Sequence, residues 1–178
     1  MIRRLLILSV ILAGVTLAQG CATDRRTVGT QLDDENIELS VRKALTDDNR
    51  LGDDVHVNIT CFNGTVLLTG EATTAEQRDI VVSRAPRFQG VKRVVSEINV
   101  AEPTAFASRV HDSWITGQVK AKLLDAPNLK STRIKVVTEN SVVYLMGLVK
   151  QSEGELAAET ARTVGGITRV VKVFEYLD

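Results

Sequence analysis

The chain has 178 residues, and its 22 Lys and Arg balance 22 Asp and Glu, so the formal charge is zero. A hydrophobic share of 44% with 25% charged residues is globular composition and excludes a disordered chain. The neutral total and an aromatic share of 4% argue against a nucleic-acid binder, which needs a basic domain and stacking platforms.

Met1-Ile2-Arg3-Arg4 gives a positive start, and Leu5 to Ala18 is an apolar run broken only by Ser9 and Thr16. That run is too short for a membrane span, which needs about 20 residues, but it fits a secretory signal. The chain continues Leu17-Ala18-Gln19-Gly20-Cys21, which resembles a bacterial lipoprotein box. The resemblance implies cleavage before Cys21 and acylation of its thiol and new amine. Ala22 rather than Asp follows the cysteine, which in such proteins is an outer-membrane address on the periplasmic face. Residues 1–20 are therefore expected to be a signal peptide and 21–32 a lipidated N-terminus with a polar tether. The mature chain carries 20 basic and 22 acidic residues.

The rest of the chain is a duplication. Ile37, Val41 and Leu45 recur as Ile115, Val119 and Leu123, at an offset of 78. Val57, Ile59, Asn63, Val66, Leu68 and Gly70 recur as Ile134, Val136, Asn140, Val143, Leu145 and Gly147, at 77. Gly90, Val91 and Val94 recur as Gly166, Ile167 and Val170, at 76. Core positions keep register while the offset shortens only at loops, which is the signature of a repeated folded unit. The units are expected at 33–101 and 109–178, with 102–108 as a linker stopped by Pro103.

Each unit reads helix, strand, strand, helix, strand. In the first, 34–47 has an apolar stripe at 37, 41, 44 and 45, the helical spacing. Alternation at 55, 57, 59 and 61 predicts a strand, and Asn63-Gly64 a two-residue hairpin turn into the strand 65–70. Thr73 with Glu76 is a capping-box candidate for the second helix, and 91–100 is the third strand. The second unit repeats this as 112–124, 133–139, 142–148, 152–164 and 167–176, with Asn140-Ser141 at the turn and Ser152 with Glu155 as the box. Three strands with two helices on one face bury both helical stripes, an α+β arrangement.

The stretches Asn63-Gly64-Thr65-Val66-Leu67-Leu68-Thr69-Gly70 and Gly90-Val91-Lys92-Arg93-Val94 resemble the BON domain, an αββαβ envelope module with a three-stranded mixed sheet. Asn140-Ser141-Val142-Val143-Tyr144-Leu145-Met146-Gly147 is the second copy, with Ser141 in the usual Gly position. Together with the lipoprotein box, the tandem resembles dual-BON outer-membrane lipoproteins. That resemblance implies anionic phospholipid binding, support of the outer-membrane barrier and a place at division sites. It implies no catalysis.

Charge separates the two units. Residues 33–101 hold 8 basic and 12 acidic residues, a net of −4, and 109–178 hold 10 basic and 8 acidic, a net of +2. An anionic surface repels the first and attracts the second. On helix 112–124, Trp114, Gly117, Ala121 and Leu124 fall opposite the core stripe, with Lys120 beside Leu124. The matching face of the first helix carries Glu35, Glu38, Arg42 and Lys43, with Leu39 its sole apolar member. Trp114, Gly117, Lys120, Ala121 and Leu124 are the candidate phosphatidylglycerol-binding residues; the other reading packs Trp114 on the first unit or on the linker around Phe106. A protein-interaction adaptor for outer-membrane assembly, division or cell-wall proteins is the alternative function, with lipid serving only as anchor.

No catalytic, metal or cofactor site is expected. His56 should alternate away from the core and His111 sits at the linker end, neither at metal-ligand spacing. Asp33-Asp34-Glu35 and Asp53-Asp54 read as carboxylates near helix ends or loops. Cys61, on the same strand face as Val57 and Ile59, reads as a buried inert thiol.

Overall fold

The computed structural model describes residues 27–52 and 54–177. The signal segment and Cys21 lie outside these residues. The first unit is α1 (Val28–Thr46), β1 (Val55–Phe62), β2 (Thr65–Ala72), α2 (Ala75–Arg84) and β3 (Arg93–Val100). The second is α3 (Phe106–Asp125), β4 (Ile134–Glu139), β5 (Val142–Val149), α4 (Gln151–Arg162) and β6 (Arg169–Tyr176). Each sheet is mixed: β2 is central, antiparallel to β1 and parallel to β3, and β5 holds the same place between β4 and β6. The fold is the α+β tandem that the sequence predicts.

Within each unit the helices cover one sheet face. Ile37 and Val41 of α1 and Val81 of α2 bury against Ile59, Cys61, Val66 and Leu68. Ile115, Val119 and Leu123 of α3 and Ala157, Ala158 and Ala161 of α4 bury against Val136, Val143, Leu145 and Phe174.

Helix boundaries differ from expectation at both first helices. α1 starts at Val28, where the Thr27 side chain accepts from the Thr30 N–H at 3.1 Å, so part of the expected tether is helical. α3 starts at Phe106, so 106–108 belong to the helix rather than the linker. The capping boxes shift as well. Thr73 donates its hydroxyl to Asp54, which leaves Thr74 and Gln77 to form the reciprocal pair at α2. At α4 the Glu153 carboxylate accepts from the Lys150 N–H at 2.9 Å, and Ser152 lies inside the helix.

The hairpin turns carry a repeated clamp. Asp34, on α1, accepts from the N–H groups of Asn63 and Gly64 at 2.7 and 2.8 Å. Asp112, on α3, accepts from those of Asn140 and Ser141, both at 2.8 Å. Both carboxylates are buried. Each turn needs positive φ at both central residues, and Ser141 holds φ 61° without being glycine. A side chain at Gly64 would meet the Gly90 carbonyl oxygen at 2.6 Å, so glycine is required in the first turn.

The second faces of the two sheets press on each other. Phe62, Leu67, Tyr144, Met146 and Val173 form a third buried cluster, joined by Val95, Val137, Val142, Leu148 and Val171. All eight residues of β2 are buried, because helices cover one face and the other sheet covers the opposite one. Strand lies over strand in reverse direction. Asn58 on β1 donates to Glu139 on β4 at 2.7 Å, and Lys135 reaches the Cys61 carbonyl at 3.4 Å. Arg93 on β3 donates to the Phe174 carbonyl on β6 at 3.4 Å, and Arg169 to Glu97 at 2.9 Å. The molecule is thus four layers deep: helices, sheet, sheet, helices.

Two carboxylates are buried in this seam. Glu71 accepts from the hydroxyl and N–H of Thr104 and from the Asn140 side chain. Glu139 accepts from Asn58 and from the Thr69 hydroxyl at 3.2 Å. Burial raises the Glu139 carboxyl above its ordinary range, helped by the Glu71 charge and opposed by the Asn58 hydrogen bond. A raised folded-state pKa means that the folded protein holds this proton more tightly than the unfolded chain. Its contribution to stability is then full at low pH and is lost as pH rises through the raised value.

Two outcomes are expected in urea unfolding. Asp112→Ala strands two part-buried N–H donors and should lower stability by about 2 kcal/mol. Asp112→Asn keeps an acceptor and should lose less. Glu139→Gln should flatten the fall in stability that begins as pH rises above 4.5, the ordinary value for a glutamate.

Candidate membrane-contact surface

α3 lays one face on its own sheet, burying Asp112, Ile115, Val119 and Leu123. Advancing about 100° per residue, the opposite face takes Phe106, Val110, Trp114, Gly117, Ala121 and Leu124, all within an arc of about 80°. All six are exposed; Phe106 is 73%, Trp114 52% and Leu124 70% accessible. At about 1.5 Å per residue the stripe runs about 27 Å along the helix.

The structure thus brings together Trp114, Gly117, Ala121 and Leu124 as the sequence predicts, and adds Phe106 and Val110. Phe106 fell in the segment 102–108 read as a linker, and Val110 ahead of the helix expected at 112–124. Their i, i+4, i+8 spacing with Trp114 was the available signal. A side chain at Gly117 would meet nothing within 4 Å, so this face is open. Arg109 and Lys120 lie together along one flank, about 120–140° round the helix from Ile115. The Arg109 guanidinium sits 5.9 Å from the Phe106 ring centroid and donates to the Thr104 carbonyl at 3.2 Å.

Trp114 stacks on His111, with ring centroids 5.7 Å apart and planes at 18°. It stands on the outermost layer of the second unit, with a whole sheet between it and the first unit. Its ring partner is His111 rather than Phe106. The outer face of α1 also differs from expectation. Val28, Leu32 and Leu39 are all exposed there, because the helix starts earlier than its polar sequence suggested. Glu35 and Lys43 fall within that face and break it into pieces.

Other chemistry-bearing residues serve the fold. Cys61 is fully buried and its Sγ donates to Asp34 at 3.1 Å. Burial first, and then Asp34, pushes its thiol up to about 12, which makes it a poor nucleophile. His56 turns away from its own helices as expected, but it faces the seam rather than bulk solvent. It lines a cleft of about 220 Å³ with Asn58, Asp112, Thr116 and Glu139, and its Nε2 is enclosed without a hydrogen-bond partner. The Asp54 carboxyl is held below its ordinary range, chiefly by the Thr73 hydroxyl and then by Gln77. Among the described residues no group of three His, Cys, Asp or Glu side chains could hold a metal ion, and no helix is long and apolar enough to cross a membrane.

The family model described as "BON domain" matches residues 33–102 and 111–178. The chain is 39% identical over 168 residues to "Outer membrane lipoprotein DolP" of Haemophilus influenzae, covering 94% of this chain and 87% of that one. It is 38% identical over 154 residues to "21 kDa hemolysin" of Actinobacillus pleuropneumoniae, covering 86% and 79%. It is 31% identical over 147 residues to "Osmotically-inducible protein Y" of Escherichia coli, covering 80% and 72%.

Proposed function

Because the chain belongs to the BON domain family and carries two copies of that domain, we propose that it is a lipid-anchored outer-membrane protein of the periplasmic face that binds anionic phospholipid through its second domain. In this reading it helps maintain outer-membrane integrity at division sites and performs no catalysis. The relative named as an outer membrane lipoprotein supports the location.

The observation that carries the reading is the exposed stripe on α3, centred on Trp114 and flanked by Arg109 and Lys120. An indole prefers the membrane interface, where its ring is apolar and its N–H wet. A well-placed Lys or Arg near an anionic surface contributes about 1 kcal/mol. The second unit's net of +2 favours approach, and the first unit's net of −4 opposes it. On α1, by contrast, Glu35 interrupts the apolar positions, so the homologous helix offers a weaker surface.

The anchor and the stripe divide the work. Acyl chains on Cys21 hold the protein in its leaflet, at about 0.8 kcal/mol per buried CH₂, and set no headgroup preference. The stripe with its flanking cations supplies that preference.

The test is co-sedimentation of the mature, non-acylated chain with phosphatidylglycerol vesicles at low ionic strength. Trp114→Ala and Leu124→Glu should each weaken binding about tenfold, the scale of losing one well-buried apolar side chain. Unchanged binding by both variants would assign the stripe to a protein partner instead.

A further inference from the structure

A strand at the edge of a sheet offers one row of backbone donors and acceptors to whatever lies beside it. β1 is such a strand, since among the described residues it pairs with β2 alone. The two-residue turn sets which of its residues face outward. Phe62 and Thr65 flank that turn as a hydrogen-bonded pair, so by alternation Thr60, Asn58 and His56 also bond to β2. Val55, Val57, Ile59 and Cys61 then point both N–H and C=O away from it. Contacts at both ends of the strand agree. The Cys61 N–H donates to Glu38 at 2.7 Å, and its carbonyl accepts from Lys135 at 3.4 Å. The Val55 N–H donates to the Gly52 carbonyl at 3.3 Å. Between these caps, the N–H and C=O groups of Val57 and Ile59 have no hydrogen-bond partner among the described residues.

That open stretch lies in a groove. Residues 55–59 all line a groove of about 460 Å³, and Arg42, Leu45 and Leu51 line its other side. Successive side chains of a strand point to opposite faces, so what five consecutive residues share is their backbone edge. The stretch runs about 14 Å, the length of a short extended segment. Leu45 and Leu51 are half-buried against the first unit's core and give the helix side an apolar floor. His56 and Asn58 turn the other way, toward the polar cleft at the seam. Arg42 is exposed and has no carboxylate partner among the described residues. Glu38, four residues earlier on α1, is already held by Lys135 at 2.9 Å.

We propose that this groove binds a partner protein by taking one of its extended segments as a fourth strand against β1. The segment exchanges backbone hydrogen bonds with Val57 and Ile59, seats apolar side chains on Leu45 and Leu51, and brings a carboxylate to Arg42. Its alternate residues, facing the seam side, are polar. A strand held between a sheet edge and a helix gains affinity from main-chain bonds and specificity from alternate side chains. An apolar ligand without a peptide backbone would leave four polar groups of the edge unpaired, at the cost of their desolvation. The groove belongs to the first unit and uses no residue of the α3 stripe, so it is independent of lipid binding.

The test pans the mature, non-acylated chain against random nine-residue peptides displayed on phage, and measures selected peptides by fluorescence anisotropy. They should alternate apolar and polar residues around an Asp or Glu. Arg42→Glu should weaken the best peptide about tenfold, the scale of reversing one rim charge. Trp114→Ala should leave its binding unchanged. Methylating the peptide's amides one at a time leaves the protein untouched. Methylation at the amides that face Val57 and Ile59 should abolish binding, and at the intervening amides it should be tolerated. Hydrogen exchange gives a second readout. In the free chain the Val57 and Ile59 amides should exchange at least about a hundredfold faster than those of Asn58 and Thr60, and bound peptide should remove the difference. A library that yields no binder, or methylation effects that do not alternate, overturns the strand-accepting groove. So does protection of Val57 and Ile59 that rises with protein concentration in the free chain, which assigns the edge to a second copy. Peptide binding indifferent to Arg42→Glu overturns the pairing of Arg42 with a carboxylate.

Discussion

Everything in this molecule is referred to the contact between its two sheets. Leu67 on β2 and Met146 on β5 are fully buried, and Phe62, Tyr144 and Val173 fill the space around them. Burial of such side chains stabilises by roughly 1.5–3 kcal/mol each, which dwarfs the exposed ion pairs along the seam. Because the sheets occupy each other, the four α-helices of the described residues are forced to the outside. Among the described residues, their free faces are the broad surfaces left open. The exposed apolar stripe on α3 lies on such a free face, because the sheet beneath it is covered on its other side by the second sheet.

The clamp at each hairpin turn ties this architecture to local geometry. Asp34 and Asp112 fix the second turns of α1 and α3 over the ends of their own sheets, using buried carboxylates on backbone donors. The helices are thereby held in direction as well as in position.

Period-two alternation in β1 and helical spacing in α1 and α3 made the helix-covered cores legible from sequence. The Asn63-Gly64 turn and the duplication made the topology legible too. The seam was not legible. On β2 its face reads Thr65, Leu67, Thr69 and Glu71, a half-polar pattern that solvent would also accept. The signal lay in consecutive apolar pairs, Leu67-Leu68 and Tyr144-Leu145-Met146, which demand cover on both faces. Asp34 looked like an ordinary helix-end carboxylate, although Asp112 matches it at the same offset of 78 as the core positions beside them. The candidate stripe was half visible. Trp114 and Leu124 followed from helical phase, whereas Phe106 and Val110 were lost because Ala105 offers no capping side chain to mark the start of α3.

The polar members of the seam are not copies of one another. Glu71 on β2 accepts twice from Thr104 of the linker and once from Asn140 of the second half, whereas Glu139 on β4 takes both its donors, Asn58 and Thr69, from the first half. At the repeat offset of 77, Glu71 corresponds to Leu148 and Glu139 to Phe62, so neither seam carboxylate has a counterpart in the other half. Duplication has therefore produced obligate, unlike siblings: neither half is interchangeable with the other, and loss of either would leave its survivor with an apolar, acid-bearing face that water cannot comfortably wet.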